Sequence, residues 1–240
     1  MRWLLVEATD RGILQATRSS CGPLLGVAPL HPERRPRAWS EHCMKFNDSV
    51  IEYLARDSSI DVVVMSASLG QYVHPASGDH RRVLVRTPEG RLSDTQVSAE
   101  LAHDTLTATV AAVRALGKRV ILVGPLPSPG FDVARCLERR ANRKLILGAH
   151  SDCSITTADL ALRRDAVHKL LDDVHTETGV PLIRLSDALC SASTCRTEID
   201  GVPLYRDQGH LSHDGSRALA RRLPWTTALA DPEPARQPMP

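Results

Sequence analysis

Ile60-Asp61-Val62-Val63-Val64-Met65-Ser66 is a nearly unbroken apolar run built on β-branched side chains. A strand with one wet face alternates polar and apolar residues. This one does not alternate, so it is expected to be buried on both faces, as in a parallel sheet covered by helices. Arg119-Val120-Ile121-Leu122-Val123-Gly124 has the same character. Between and beyond these two runs the apolar period lengthens to that of a helix. Residues 97–116 are predicted to form one, ending at Gly117. Residues 160–178 form another, closed by Gly179 and followed by a strand at Val180-Pro181-Leu182-Ile183-Arg184-Leu185. Gly12-Ile13-Leu14-Gln15-Ala16-Thr17 is predicted as an earlier strand, running into the turn-rich Arg18-Ser19-Ser20-Cys21-Gly22-Pro23. Asp48 is placed as the cap of a helix over 50–55, and Ser212 as the cap of a last helix reaching 223. Residues 28–40 and 74–93 look irregular. Strands alternating with helices imply crossover connections and an α/β fold.

Ligands in such sheets bind beyond the carboxyl ends of the strands. The loops at 18–23, 66–74, 124–131 and 187–210 are therefore the places to look for chemistry. The chain of 26.2 kDa can build a sizeable core. Its net charge of +2, with both signs interspersed, gives no reason to expect a nucleic-acid partner. No metal-ligand spacing and no nucleotide-binding motif occurs, so no metal or other cofactor is expected.

No apolar run approaches the roughly 20 residues of a membrane helix, and Met1-Arg2-Trp3-Leu4-Leu5-Val6-Glu7 is too short a run for a secretory leader. Those two features point to the cytoplasm. The six cysteines point the other way. None forms C-x-x-C, and Cys190 and Cys195 bracket a polar turn that reads as a local disulfide. Buried free thiols are the alternative. The disulfide reading places the domain in an oxidising compartment, which requires something upstream of Met1 to carry it there.

Asp-x-x-His occurs at Asp165/His168, Asp172/His175 and Asp207/His210. The first two fall within a helix and read as solvated helical faces. The third lies in a loop, in Leu204-Tyr205-Arg206-Asp207-Gln208-Gly209-His210-Leu211-Ser212, ahead of Gly215. An Asp placed there can fix the His tautomer and stabilise the imidazolium that forms when the other ring nitrogen takes a serine proton.

This terminal block resembles that of the SGNH domains fused to acyltransferase-3-type membrane acyltransferases, bacterial proteins implicated in O-acylating surface polysaccharides. Further similarities support it: Leu14 to Cys21 with Pro23-Leu24-Leu25; Cys43 to Leu54 with Phe46-Asn47; Val123-Gly124-Pro125-x-Pro127 with Phe131-Asp132-Val133 and Arg135-Cys136; and Cys190 to Cys195 with Asp200-Gly201-x-Pro203-Leu204-Tyr205. The resemblance implies a flavodoxin-like, three-layer α/β/α SGNH-hydrolase fold over 1–230; residues 231–240, with four prolines and no packed pattern, are expected to be a disordered tail. It implies catalytic roles for Asp207 and His210, an acyl donor delivered by a membrane acyltransferase domain, a surface-glycan acceptor, and a periplasmic or otherwise extracytoplasmic location at the membrane. The disulfides expected are Cys21–Cys43, Cys136–Cys153 and Cys190–Cys195.

Two departures stand out. The family's nucleophile sits in a Gly-Asp-Ser-His element ending the first strand, whereas Met1-Arg2-Trp3-Leu4-Leu5 resembles the helix after it. The first strand and its serine are thus expected to be missing from this chain, through a mis-assigned start, a split gene or a degenerate copy. Open sheet edges at the gap would favour association. Asn47-Asp48-Ser49 and Gly78-Asp79-His80 are decoys. Ser20, at a strand end, is a geometrically possible nucleophile, which would make the chain an ordinary cytosolic esterase. The second departure is in the oxyanion loop. Met65-Ser66-Ala67-Ser68-Leu69-Gly70 has neither the Asn of related hydrolases nor the Arg-Trp of the acyltransferase-linked domains. Ser20, Ser66 and Ser68 are its candidate oxyanion or substrate-loop residues. The expectation is an O-acyltransferase or ester-hydrolase domain, inactive as this fragment. The alternative is a non-catalytic glycan-binding or degenerate module of the same fold.

Overall fold

The structure is a computed structural model that describes residues 12–73, 81–128 and 130–230, with only the backbone at 159, 161–164, 226 and 230. Met1-Arg2-Trp3-Leu4-Leu5, Gly78-Asp79-His80 and the 231–240 tail lie outside the described residues. The chain divides into two compact units. Of the described residues, one takes 16–124, 166–182 and 229–230, and the other takes 12–15, 125–165 and 183–228.

The first unit holds the two apolar runs. Strand β2 (Val62–Ser66) pairs in parallel with β5 (Arg119–Val123), in the register Val62↔Arg119 to Ser66↔Val123. The sheet order is β2-β5-β7, with β7 at Leu182–Ile183. Leu122 N–H donates to Pro181 O (2.9 Å), which carries the ladder ahead of β7. Helices α1 (Arg37–Arg56), α3 (Ala99–Ala115) and the C-terminal part of α5 (Thr157–Thr178) share one core with this sheet. Leu106, Val110 and Val113 recur along α3 at helical spacing, and Val167, Leu170, Leu171 and Val174 do so along α5; all are buried. Ser98 caps α3 by accepting from Leu101 N–H (3.0 Å), and Gly117, at φ +74°, ends it as the sequence predicts.

Several expectations are corrected here. Residues 12–18 form no strand; Leu14 is exposed, and the segment joins none of the described sheets. Residues 28–40 are not irregular. They contain β1 (Val27–Leu30) and the first turn of α1. Asp48 does not cap a helix. It lies inside α1 and forms a bidentate ion pair with Arg86 (2.7 and 3.1 Å). Within 74–93, the described part enters a hairpin of β3 (Arg82–Arg86) and β4 (Leu92–Gln96), so that β1-β3-β4 makes an antiparallel sheet. Its turn is closed by Gly90 at φ +79°. A short helix, α2 (Gly70–Val73), follows β2.

The second unit is stitched from short pieces. It contains α4 (Val133–Ala141), β6 (Ile155–Thr156), α6 (Leu185–Leu189), β8 (Thr194–Cys195), β9 (Glu198–Ile199), β10 (Val202–Pro203), α7 (His213–Ala220) and all but the last two residues of α8 (Trp225–Ala230). Its β6-β8 and β9-β10 ladders are antiparallel and two residues long. So little regular structure needs covalent support, and two disulfides, Cys136–Cys153 and Cys190–Cys195, supply it; Cys21–Cys43 lies in the first unit. All three predicted pairings are present. The strand predicted over 180–185 is only two residues long, because Leu185 starts α6. The last predicted helix stops at Ala220, short of the expected 223.

Candidate active-site loop and its supports

Residues 204–212 form a tight excursion between β10 and α7. Arg206 N–H donates to His210 O (3.0 Å) and Ser212 N–H to Leu204 O (2.8 Å), so the two limbs close on each other. Asp207 sits at the bend. Its Oδ1 accepts from the N–H groups of Gly209 (2.9 Å) and His210 (2.8 Å), the geometry of an Asx-turn. His210 Nδ1 lies 2.8 Å from Asp207 Oδ2 and 3.0 Å from Oδ1. One carboxylate therefore both folds the loop and orients the ring. The two backbone donors, Gly209 first and His210 second, hold the Asp207 carboxyl down to about 2. It stays ionised at any physiological pH. With Nδ1–H donating to Asp207, the acceptor lone pair of the neutral ring falls on Nε2 of His210, and the side chain is 70% exposed.

The loop is held from below. Tyr205 is buried and its hydroxyl donates to Pro127 O (2.6 Å). Ser128 Oγ donates to Gln208 O (3.1 Å). Both acceptor and donor come from the segment after β5, so two short hydrogen bonds tie that segment to the bend. At the exit, Ser212 Oγ accepts from Gly215 N–H (2.8 Å) and donates to Pro203 O (2.6 Å), capping α7 as predicted. Gly215 lies against Leu204: a Cβ there would fall 2.5 Å from Leu204 Cα and 2.6 Å from its carbonyl oxygen. Only glycine permits this close approach. The Asp207-x-x-His210-Leu211-Ser212-x-x-Gly215 pattern thus has a physical reason at every named polar or glycine position.

The other two Asp-x-x-His pairs do not reproduce this arrangement. His175 Nδ1 contacts Val180 O (2.6 Å) at the end of α5. The decoy Asn47-Asp48-Ser49 is helical, and Ser49 Oγ bonds back to Lys45 O (2.8 Å).

Ser20, Ser66 and Ser68 belong to the first unit. Ser66 ends β2 and is exposed. Ser68 is exposed, and its carbonyl accepts from Gly70 N–H (2.7 Å) across Leu69, which has φ +53°. Ser20, at φ +60°, has its carbonyl held by Gln71 Nε2 (2.6 Å). Tyr72 Oη, on the same short helix, accepts from Gly22 N–H (2.8 Å). Burial pushes the Tyr72 hydroxyl up to about 12, so it stays protonated. Asn47 Nδ2 donates to Gly22 O (2.9 Å) and Leu24 O (3.1 Å), and the Cys21–Cys43 bond anchors the same loop to α1. The structure therefore brings the Ser20 loop beside the loop after β2. Tyr72 carries no sequence signal for this role, and Asn47 enters the sequence only through the Phe46-Asn47 resemblance and a decoy tripeptide; an interior Tyr and a helical Asn carry no positional signature of their partners. Tyr205 and Gly215 are part of the terminal block without any sign there of their supporting roles, and Ser128 has no sequence signal at all. Among the described residues, no group of three or more His, Cys, Asp or Glu side chains could hold a metal ion. No hydroxyl among them bonds to His210 Nε2.

A family model described as "SGNH domain (fused to AT3 domains)" matches residues 4–224. Among solved structures, the Salmonella ser. Paratyphi A lipopolysaccharide acetyltransferase periplasmic domain is similar, with TM-score 0.58 and 18% sequence identity, covering 92% of this chain and 74% of that one. That likeness is one of fold. None of the curated proteins matches the chain.

Proposed function

Because this chain belongs to the family of SGNH domains fused to AT3 domains, we propose that its Asp207–His210 pair is the orienting carboxylate and general base of an O-acyl transfer to a cell-surface polysaccharide. The observation that carries the reading is the hydrogen-bonded pair on a rigidly supported loop, with Nδ1 committed to Asp207 and Nε2 bonded to nothing among the described residues. In the reaction, a serine Oγ attacks the acyl carbonyl while its proton passes to Nε2. The leaving group takes that proton as the tetrahedral intermediate collapses to an acyl-serine. A sugar hydroxyl then gives its proton to Nε2 and attacks the acyl-serine, and the serine regains the proton on leaving. Asp207 remains ionised throughout and stabilises the imidazolium twice per cycle. Such a base contributes roughly 10²–10⁴-fold.

The family's Gly-Asp-Ser-His element does not occur in the sequence. The reading therefore includes that the 240 residues alone carry the base without the attacking serine. The membrane acyltransferase domain implied by the family description would deliver the acyl group. The three disulfides support an extracytoplasmic setting, and among the described residues no helix is long and apolar enough to cross a membrane. A fluorophosphonate probe tests the serine: the chain should show no labelling that depends on His210. Labelling abolished by His210→Ala would place a nucleophile inside these residues and overturn that part of the reading. Among the described residues no hydroxyl bonds to His210 Nε2, which favours a second reading, a non-catalytic module that binds the glycan. Glycan affinity retained by His210→Ala, with no acyl transfer when a Gly-Asp-Ser-His strand is supplied, would establish it instead.

A further inference from the structure

Four large apolar side chains are exposed among the described residues, and two of them, Leu145 (71%) and Leu147 (77%), lie two residues apart in the turn after α4. The turn is built, not loose. Arg143 is at φ +53°, Lys144 N–H donates to Arg139 O (2.8 Å), and Arg139 Nε donates to Leu145 O (2.7 Å). Arg140 donates to Asp152 O (2.8 Å) and pairs with Glu198. The Cys136–Cys153 bond closes the base. Two leucines are thus held outward on a covalently framed turn, at a cost in solvation that nothing within this unit repays.

The charge around them is one-sided. Residues 133–150 carry five cations, Arg135, Arg139, Arg140, Arg143 and Lys144, against the single carboxylate Glu138. Arg139 and Arg140 are used to shape the turn. Arg135, Arg143 and Lys144 are exposed and enter no ion pair among the described residues. We propose that this turn seats the domain on an anionic lipid surface, with Leu145 and Leu147 entering the acyl boundary and Arg143 and Lys144 meeting headgroup phosphates. A lipid surface suits it better than a protein partner. Two exposed leucines offer too little area for a stable protein interface, whereas membrane binding needs only a few apolar side chains beside basic ones. The proposal is independent of the acyl-transfer reading.

The test is flotation of the 240-residue chain with vesicles of phosphatidylcholine alone or of phosphatidylcholine with phosphatidylglycerol. Binding is expected to the anionic vesicles only and to weaken with added salt. Leu145→Ser with Leu147→Ser should weaken it at least about tenfold, since each leucine loses its apolar burial. Arg143→Ser with Lys144→Ser should weaken it by about tenfold as well. These side chains are exposed, and unchanged circular dichroism will show that both variants fold. The proposal is overturned by absence of binding to anionic vesicles, or by binding that survives either double variant. It is also overturned by a dimer in light scattering that the leucine variant dissolves, which would make the turn a contact between copies.

Discussion

Replacing Gly215 by alanine puts the logic of the Asp207–His210 loop at risk with one methyl group. In an exposed helix this exchange stabilises, by up to about 1 kcal/mol, because alanine is the better helix former. Here the added Cβ would lie 2.5 Å from Leu204 Cα, 2.6 Å from Leu204 O and 2.6 Å from Ser212 Oγ. Two of those atoms are backbone, so no side-chain rotation relieves the clash. Helix α7 must back away from Leu204 by about 1 Å, overpacking of a kind that costs typically ~1–3 kcal/mol. The shift also strains the Ser212 cap, whose loss is worth about 1 kcal/mol. The penalties outweigh the propensity gain, leaving Gly215→Ala destabilised by about 1–3 kcal/mol, a fall in Tm on the order of 5 °C for a chain of this size. Scanning calorimetry without reductant reads it. Gly209→Ala is the control, since its Cβ would meet only Ser128 Oγ, at an ordinary 3.5 Å, and should shift Tm little. A Gly215→Ala variant as stable as the parent would refute the close-approach argument.

Asp207→Asn should loosen the bend and release the His210 ring, seen as loss of the Nδ1 proton resonance. In an assembled enzyme this exchange would lower turnover by about 10⁴-fold. The parent should share that instability only in acid. The Asp207 carboxyl sits at about 2 in the folded chain, below its ordinary value of 3.8, so its contribution is present above that ordinary value and lost as pH falls towards 2. The stability gap between parent and Asp207→Asn should therefore shrink over that window; a gap independent of pH would contradict it. Tyr205→Phe removes the donor to the buried Pro127 carbonyl and should cost about 1–3 kcal/mol in a urea melt. Replacing both Cys136 and Cys153 by serine opens a loop spanning 17 residues and should cost about 3 kcal/mol, whereas reduction without effect on the melt would show that bond to be idle.

What could be seen in the sequence was whatever rests on local pattern. The parallel pairing of β2 with β5, the burial of β5, the capped α3 and the long α5 follow from periodicity and from Gly117 and Gly179, whereas β2 is buried only at Met65 because it is an edge strand of its sheet among the described residues. Asp207 and His210 are three residues apart, so their pairing needs only a turn, and the sequence supplies it. The expected strand at 12–17 fails because a β-prone segment becomes a strand only where a ladder partner exists. The β3–β4 hairpin has a local signal too, a short and largely β-branched apolar run at Val83-Leu84-Val85 followed by the turn sequence Thr87-Pro88-Glu89-Gly90, but the run does not alternate and so does not announce a strand with one wet face. Asp200-Gly201, with φ of +50° and +78°, is the two-residue turn that such a dipeptide predicts between β9 and β10, and it passed as part of a motif. Tyr205 to Pro127 and Ser128 to Gln208 span about eighty positions of chain, and nothing local announces such partners.

The cysteines pair in the order in which they are synthesised: 21 with 43, 136 with 153, 190 with 195. No bridge encloses or crosses another. An oxidase that simply joins each thiol to the next one along the chain would therefore reach the native set without error. Proofreading by a disulfide isomerase, indispensable for nested linkages, would be dispensable for this chain.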